Sequence, residues 1–260
     1  MLNCFLFSPP SLRENDYEPF RSFLCFMCQK FRQVYLILGN HEFFGVSRQE
    51  GLRLADKLQG DPELKDKLIV MNRKRVDLQD ITILGCTLHS RIPLEAEEIV
   101  RNKINDFRRI VDWTVANHSE EHAADVKWLE NEISSIRQID AGLKRKIVVI
   151  SHHAPSTKGT SKPSDEGNPW SSAFATDLIG NKEKSCLDDV QWWVFGHTHY
   201  STESVCGQVK LVSNQRGYVL PNKNKDGTEV SGKFPSRIRK IWDNGRRDQS
   251  TFHPEKVIEV

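Results

Sequence analysis

Three short apolar runs, each opening directly onto a turn that carries imidazoles, constrain this chain more than anything else in it. Val34-Tyr35-Leu36-Ile37-Leu38 leads into Gly39-Asn40-His41-Glu42. Ile147-Val148-Val149-Ile150 leads into Ser151-His152-His153-Ala154-Pro155, and Val190-Gln191-Trp192-Trp193-Val194 leads into Phe195-Gly196-His197-Thr198-His199. Short apolar runs bounded by turn residues read as buried strands. In an open α/β sheet the ligand site lies beyond the carboxyl ends of the strands, so the three turns are expected to meet. Imidazole is the commonest protein ligand for divalent first-row metals near neutral pH, and Gly196 lets the backbone turn tightly. A lone His-x-His fits a surface or core pair as well as a metal; three such strand ends together favour the metal.

The rest of the chain alternates in the same manner. Residues 17–31 read as an amphipathic helix capped by Asp16, and Ser47 with Glu50 as an N-cap for 48–58. Residues 2–7, 68–71, 75–78 and 81–84 read as short strands, and 201–206 with 208–213 as a hairpin around Gly207. Residues 95–115 are expected to form a long helix with Ile99, Ile104, Phe107, Ile110 and Val111 inward. Residues 119–139 form another, with Trp128, Leu129, Ile133 and Ile136 inward. His89 is expected in a structural or rim position by the cleft rather than as a ligand, and His118 and His122, away from any strand end, on solvated positions. The loop 154–169 exceeds a simple connector, and residues 168–177 mix aromatics with small polar side chains, which suits a wall facing a substrate.

With 260 residues, 38% hydrophobic and 28% charged, the chain can hold one large globular domain. A net charge of +2 with both signs interspersed implies no polyanion-binding field, so no nucleic-acid preference is expected. No apolar run approaches the ~18 residues of a membrane span. Six scattered cysteines, of which only Cys25 and Cys28 are close, point to a reducing, cytoplasmic setting. A redox or zinc role for that pair ranks last among the readings, because no second pair completes a site.

The three turn blocks, in this order, resemble the signature of the calcineurin-like metallophosphoesterases: Gly-Asn-His-Glu/Asp, a later strand end bearing His, and Gly-His-x-His. The resemblance covers residues 17–220. It implies an α/β fold of two stacked mixed β-sheets flanked by helices, a four-layer sandwich that is N-terminally incomplete here. Residues 1–220 would form the phosphoesterase domain and 221–260 a polar, partly flexible extension with a candidate final strand at 252–260. The implied activity is hydrolysis of a phosphorylated substrate by a metal-activated water, with Mn, Fe, Zn or Mg as cofactor, two ions in the family and as few as one here. Carried over position by position, Asn40, His152 and His197 hold one metal and His199 reaches the other. His41 stabilises the leaving oxygen, Glu42 or a nearby carboxylate orients it, and His153 stands beside the ligands.

The family also opens on a strand ending in Asp-x-His and a second ending in Gly-Asp, the latter bridging both metals. Neither occurs upstream of Asn40; Ser8-Pro9-Pro10-Ser11 stands where Gly-Asp is expected. Glu14 and Asp16, at a helix start, are poor substitutes. An N-terminally shortened hydrolase is the preferred reading. The alternative is a catalytically impaired protein that binds a metal or a partner.

Overall fold

Side-chain alternation along the buried strands decides the layering. A computed structural model describes residues 2–3, 12–139, 145–181, 185–215, 252–253 and 256–260. Four parallel strands form the centre of a six-stranded sheet: β5 (Ile81–Cys86), β6 (Lys146–Ser151), β7 (Trp192–Val194) and β9 (Val209–Ser213). Two antiparallel strands form its edges, β4 (Lys74–Asp77) beside β5 and β8 (Thr202–Cys206) beside β9, giving the order β4-β5-β6-β7-β9-β8. A parallel pair, β2 (Val34–Leu36) with β3 (Leu68–Val70), forms a second sheet. Antiparallel β1 (Leu2–Asn3) and β10 (Val257–Ile258) form a third.

One face of the large sheet presents Leu84, Ile147, Val149, Trp193 and Leu211 to Leu129, Ile133 and Ile136 of α5 (Val115–Ile139). The opposite face presents Val148, Trp192, Val194 and Val212, which pack with Ile258 of β10. On that same face Gly85 has no room for a side chain. A Cβ there would lie 2.6 Å from Met71 Cβ and 3.1 Å from Ile37 Cδ1, so the β2–β3 pair is seated directly on the large sheet. Beyond it, Phe20 and Leu24 of α1 (Glu14–Lys30) and Ala55 and Leu58 of α2 (Arg48–Gln59) join Leu38, Leu68 and Val70 in one cluster. The result is mixed sheets flanked by helices, as expected.

Several local readings change. The stretch 95–115 is not one helix: Ile104 is extended, separating α3 (Glu97–Lys103) from α4 (Asp106–Arg109). The break turns Asp106 inward to 2% exposure and leaves Val111, expected inside, 46% exposed. His118 and His122, expected in solvent, are 1% and 6% exposed, because α5 lays that flank across the carboxyl end of the sheet. Helix α1 begins at Glu14 with Arg13 in the N-cap position, so Asp16 lies inside the first turn, paired with Arg13. Ser47 does cap α2, its hydroxyl accepting the Glu50 N–H at 3.2 Å. The carboxylate of Glu50, however, turns to Arg53.

Of the expected strand at 2–7, Leu2 and Asn3 pair with β10; the remainder, the boundary near 220 and the extension 221–250 lie outside the described residues. His253 and Asn214 exchange two hydrogen bonds of 2.8 Å, anchoring the C-terminal segment beside the end of β9. Among the described residues no helix is long and apolar enough to cross a membrane.

The contact at Gly85 yields a direct check on this layering. Gly85→Ala forces a methyl into Met71, and overpacking of this kind costs about 1–3 kcal/mol. Denaturant unfolding measures it; a variant as stable as the parent would mean that the small parallel sheet does not sit there.

Candidate metal centre

A chain of backbone and hydroxyl contacts joins the ends of four strands. Thr87 Oγ1, just past β5, donates to the Leu38 carbonyl at 2.8 Å. The Thr87 carbonyl accepts the N–H groups of His152 and His153, each at 3.1 Å, and the His152 carbonyl accepts the Gly196 N–H at 2.9 Å. The turns after β2, β6 and β7 are thereby drawn together, as the parallel order requires.

At their meeting point three donor atoms converge. His152 Nε2 lies 2.9 Å from Asn40 Oδ1 and 3.0 Å from His197 Nδ1. Two ligands at ~2.1 Å from one cation and at right angles to each other stand ~3 Å apart, so these spacings suit neighbouring donors on one metal ion. Close approach here depends on Gly39, where a Cβ would fall 2.3 Å from His152 Cε1. Among the described residues no group of three or more His, Cys, Asp or Glu side chains is placed to hold a metal ion; the cluster consists of two imidazoles and the Asn40 amide. The donor set therefore fits one divalent cation. The ring of His41 stands 6.5 Å from that of His199 and stacks on Phe44 at 4.6 Å.

Two carboxylates come close, and both are engaged. Glu42 accepts the Gly39 N–H at 2.8 Å and so shapes the turn that carries Asn40 and His41. Asp106 accepts from Asn40 Nδ2 at 2.7 Å. Burial pushes the Glu42 carboxyl up to about 7 and that of Asp106 up to about 6. His41 moves the other way, to about 4, through loss of water first and then the charges of His199 and Arg109.

Backbone strain gathers at the same place. His197 and His199 hold left-handed φ values of 65° and 52°, and Leu88 and His89 hold 71° and 41°. Non-glycine residues rarely adopt this region, and it recurs where geometry serves function. Gln215 braces the first pair. Its Oε1 accepts the His199 N–H at 2.6 Å, and its Nε2 donates to Thr198 Oγ1 at 2.9 Å and to the Tyr200 carbonyl at 3.2 Å.

Behind the donors lies a wall of imidazoles. His153, fully buried, places its ring 4.1 Å from that of His197 and 5.5 Å from those of His89 and His118. His153 thus packs against the His197 ring, and His89 stacks within the same wall, in the structural one of its two expected positions. Asp125, held by Arg73 at 2.7 Å, comes within 3.7 Å of His89 Nδ1. The Ser90 N–H donates to His118 Nε2 at 3.1 Å, and His122 Nδ1 faces the Leu88 carbonyl at 3.0 Å. Desolvation lowers His89, His118, His152, His153 and His197 well below the ordinary imidazole value, which leaves their lone pairs free near neutral pH.

Of the residues singled out in the sequence, Asn40, His152 and His197 come into direct contact, and the ring of His41 stands 6.5 Å from that of His199. Sequence reasoning missed Asp106 and Gln215. Asp106 sits in a helical pattern whose break leaves no signal in the apolar spacing. Gln215 is one amide after a strand, marked by nothing local. Cys25 and Cys28 lie on α1, with Cys28 in its buried face, so their spacing is that of the helix.

Mixed sheets flanked by helices, with an amide and imidazoles gathered at the carboxyl ends of the strands, define an α/β protein with a cluster of neutral lone-pair donors at one sheet edge. Comparison then specifies the class. The calcineurin-like phosphoesterase family model matches residues 13–201, and the chain belongs to that family of phosphoester hydrolases. It is 25% identical over 206 residues to the uncharacterized protein L509 of Acanthamoeba polyphaga mimivirus, covering 74% of this chain and 70% of that one. In structure it resembles the phosphopantetheinyl hydrolase of Mycobacterium tuberculosis, with a TM-score of 0.54 and 13% identity, covering 82% of this chain and 79% of that one. A putative 5'-nucleotidase of Staphylococcus aureus aligns with a TM-score of 0.40 and 16% identity, over 77% of this chain and 35% of its own.

The imidazole wall has a consequence for stability. Unfolded histidines titrate near 6.5. The five lowered most bind protons in the folded state only well below that, so through this window the unfolded chain holds more protons and acid favours it. Glu42 and Asp106, raised to about 7 and about 6, act in the opposite sense but are outnumbered. Chelator-treated protein is expected to lose more than ~1.4 kcal/mol of unfolding free energy per pH unit below 6.5, the slope of one net proton. Denaturant titrations at pH 7, 6 and 5 measure it, and a flat profile would contradict the buried, neutral cluster.

Proposed function

We propose that the protein hydrolyses a phosphoester with a metal-activated water, the cation being held by Asn40 Oδ1, His152 and His197, with His199 facing a second position. The observation that carries this reading is the convergence of Asn40 Oδ1, His152 Nε2 and His197 Nδ1 within 2.9 and 3.0 Å contacts. A divalent cation at that point supplies a lowered water pKa and a positive pole for the phosphoryl oxygens.

The chain's own residues supply the remainder. Gly39 and the Thr87 carbonyl fix where the His152 ring stands. His41, lowered to about 4, is neutral at pH 7 and serves the leaving oxygen by donating a ring N–H as a hydrogen bond rather than as a charged acid. Beside the centre a cleft of about 260 Å³ is lined by Thr160, Asn168, Trp170, Phe174 and Thr198. Phe174 also stacks on His197 at 4.7 Å, which links that cleft to the donors. The cleft is where the alcohol part of the ester rests, between the Trp170 and Phe174 rings and the polar side chains of Thr160, Asn168 and Thr198. Free cysteines among the described residues, Cys28 and Cys86 buried, support a reducing, cytoplasmic setting.

One observation favours a second reading, metal binding without turnover. The ligand set is neutral, and no described carboxylate completes a group with the histidines. On that reading elemental analysis finds at most one ion per chain and no ester is cleaved.

The test is hydrolysis of p-nitrophenyl phosphate and bis(p-nitrophenyl) phosphate by purified protein with Mn²⁺. His41→Ala is expected to lower kcat ~10²–10³-fold, the usual cost of removing one hydrogen-bond donor to developing negative charge. Equal background rates for wild type and His41→Ala would end the hydrolase reading.

A further inference from the structure

A side-chain amide has two ends of nearly the same size, and only the oxygen end offers lone pairs to a cation. Turned over, Asn40 would present its NH₂ group, which carries no lone pair for a cation, at the place where its oxygen now faces His152. Something must choose between the two orientations, and the ligands themselves cannot.

We propose that Asp106 is the positioning residue that makes this choice. Its Oδ1 accepts from Asn40 Nδ2 at 2.7 Å, while the opposite end, Asn40 Oδ1, faces His152 Nε2 at 2.9 Å. An ionised carboxylate only accepts hydrogen bonds, so it admits the nitrogen end of the amide and repels the oxygen end. Asp106 is itself fixed: it is 2% exposed and enters the site because the chain is extended at Ile104. The same turn is pinned on both sides, with the Phe107 ring 5.8 Å from that of His118 and the Arg109 guanidinium 4.4 Å over Phe44. Partners of this kind, one shell out from the metal, typically contribute 10–100-fold in metal affinity.

The inference rests on the reading of Asn40 as a ligand, but its first readout needs no metal. In ¹⁵N-labelled, chelator-treated protein the Asn40 side-chain NH₂ pair, assigned by its loss in Asn40→Ala, is expected to show one strongly downfield proton. Asp106→Ala returns it toward the free-amide position. By calorimetry, Asp106→Ala then binds Zn²⁺ or Mn²⁺ ~10–100-fold more weakly, while Asp106→Asn, whose amide oxygen accepts the same bond, keeps most of the affinity.

A charge swap separates positioning from mere packing. Asn40→Asp alone sets two carboxylates against each other; adding Asp106→Asn restores donor to acceptor with the polarity reversed, and metal affinity recovers. If Asp106→Ala proves unable to fold by circular dichroism, Asp106→Asn and the swap still decide. An unshifted amide signal together with unchanged affinity in Asp106→Ala, or a double variant no better than Asn40→Asp, would overturn the proposal. Should wild type show the amide signature and metal binding yet cleave no ester, the hydrolase reading fails and the positioning role stands. Lost turnover in Asp106→Ala with both readouts unmoved has the opposite meaning.

Discussion

The centre exists because the carboxyl ends of four strands are tied to one another by main-chain groups. Thr87 is the knot: its hydroxyl donates to Leu38, its carbonyl takes the N–H groups of both His152 and His153, and the His152 carbonyl takes that of Gly196. Each of these groups would otherwise be a buried donor or acceptor without a partner, at a cost of about 1–3 kcal/mol apiece. The bonds therefore specify position more than they add stability. They leave the His152 ring one place to stand, over a residue that cannot carry a side chain.

What is gathered there is unusual in its charge. Asn40, His152 and His197 are all neutral donors, and the imidazole wall behind them is held neutral by desolvation. Several buried ring nitrogens, both of His153 among them, have no hydrogen-bond partner among the described residues and are costly even when neutral, and protonation would add the far larger cost of a buried charge. The carboxylates that enter the region are turned to structural donors: Glu42 to the Gly39 N–H and Asp106 to the Asn40 amide. Negative charge thus acts on the geometry of the cluster, and the atoms that converge there are neutral lone-pair donors. The strained backbone at His197 and His199, braced by Gln215, completes a frame set before any ligand arrives.

Much of this was readable from residue order, for a physical reason. Buried parallel strands are short apolar runs, and the residues just past their ends must lie on one edge of the sheet. Asn40, His152 and His197 follow such runs, so topology alone predicts their meeting. The capping hydroxyl of Ser47 is likewise local, whereas the need for glycine at 39 and 85 is set by distant residues, His152 in one case and Met71 with Ile37 in the other. Asp106 was hidden because the pattern around Ile104 and Phe107 continues a helical period that the chain breaks. That break is set by tertiary contacts with Asn40 and His118. His118 and His122 were misread because burial of a helix flank against a sheet end is decided by α5's position, which no local spacing records.

The central claim is that Asn40, His152 and His197 surround one cation. The most direct measurement is anomalous scattering at the metal edge from crystals grown with Mn²⁺ or Zn²⁺. The account predicts a peak ~2.0–2.2 Å from Asn40 Oδ1 and from one ring nitrogen each of His152 and His197. A fully loaded crystal with its strongest peak elsewhere, or with Asn40 presenting its nitrogen to an empty gap, would contradict it.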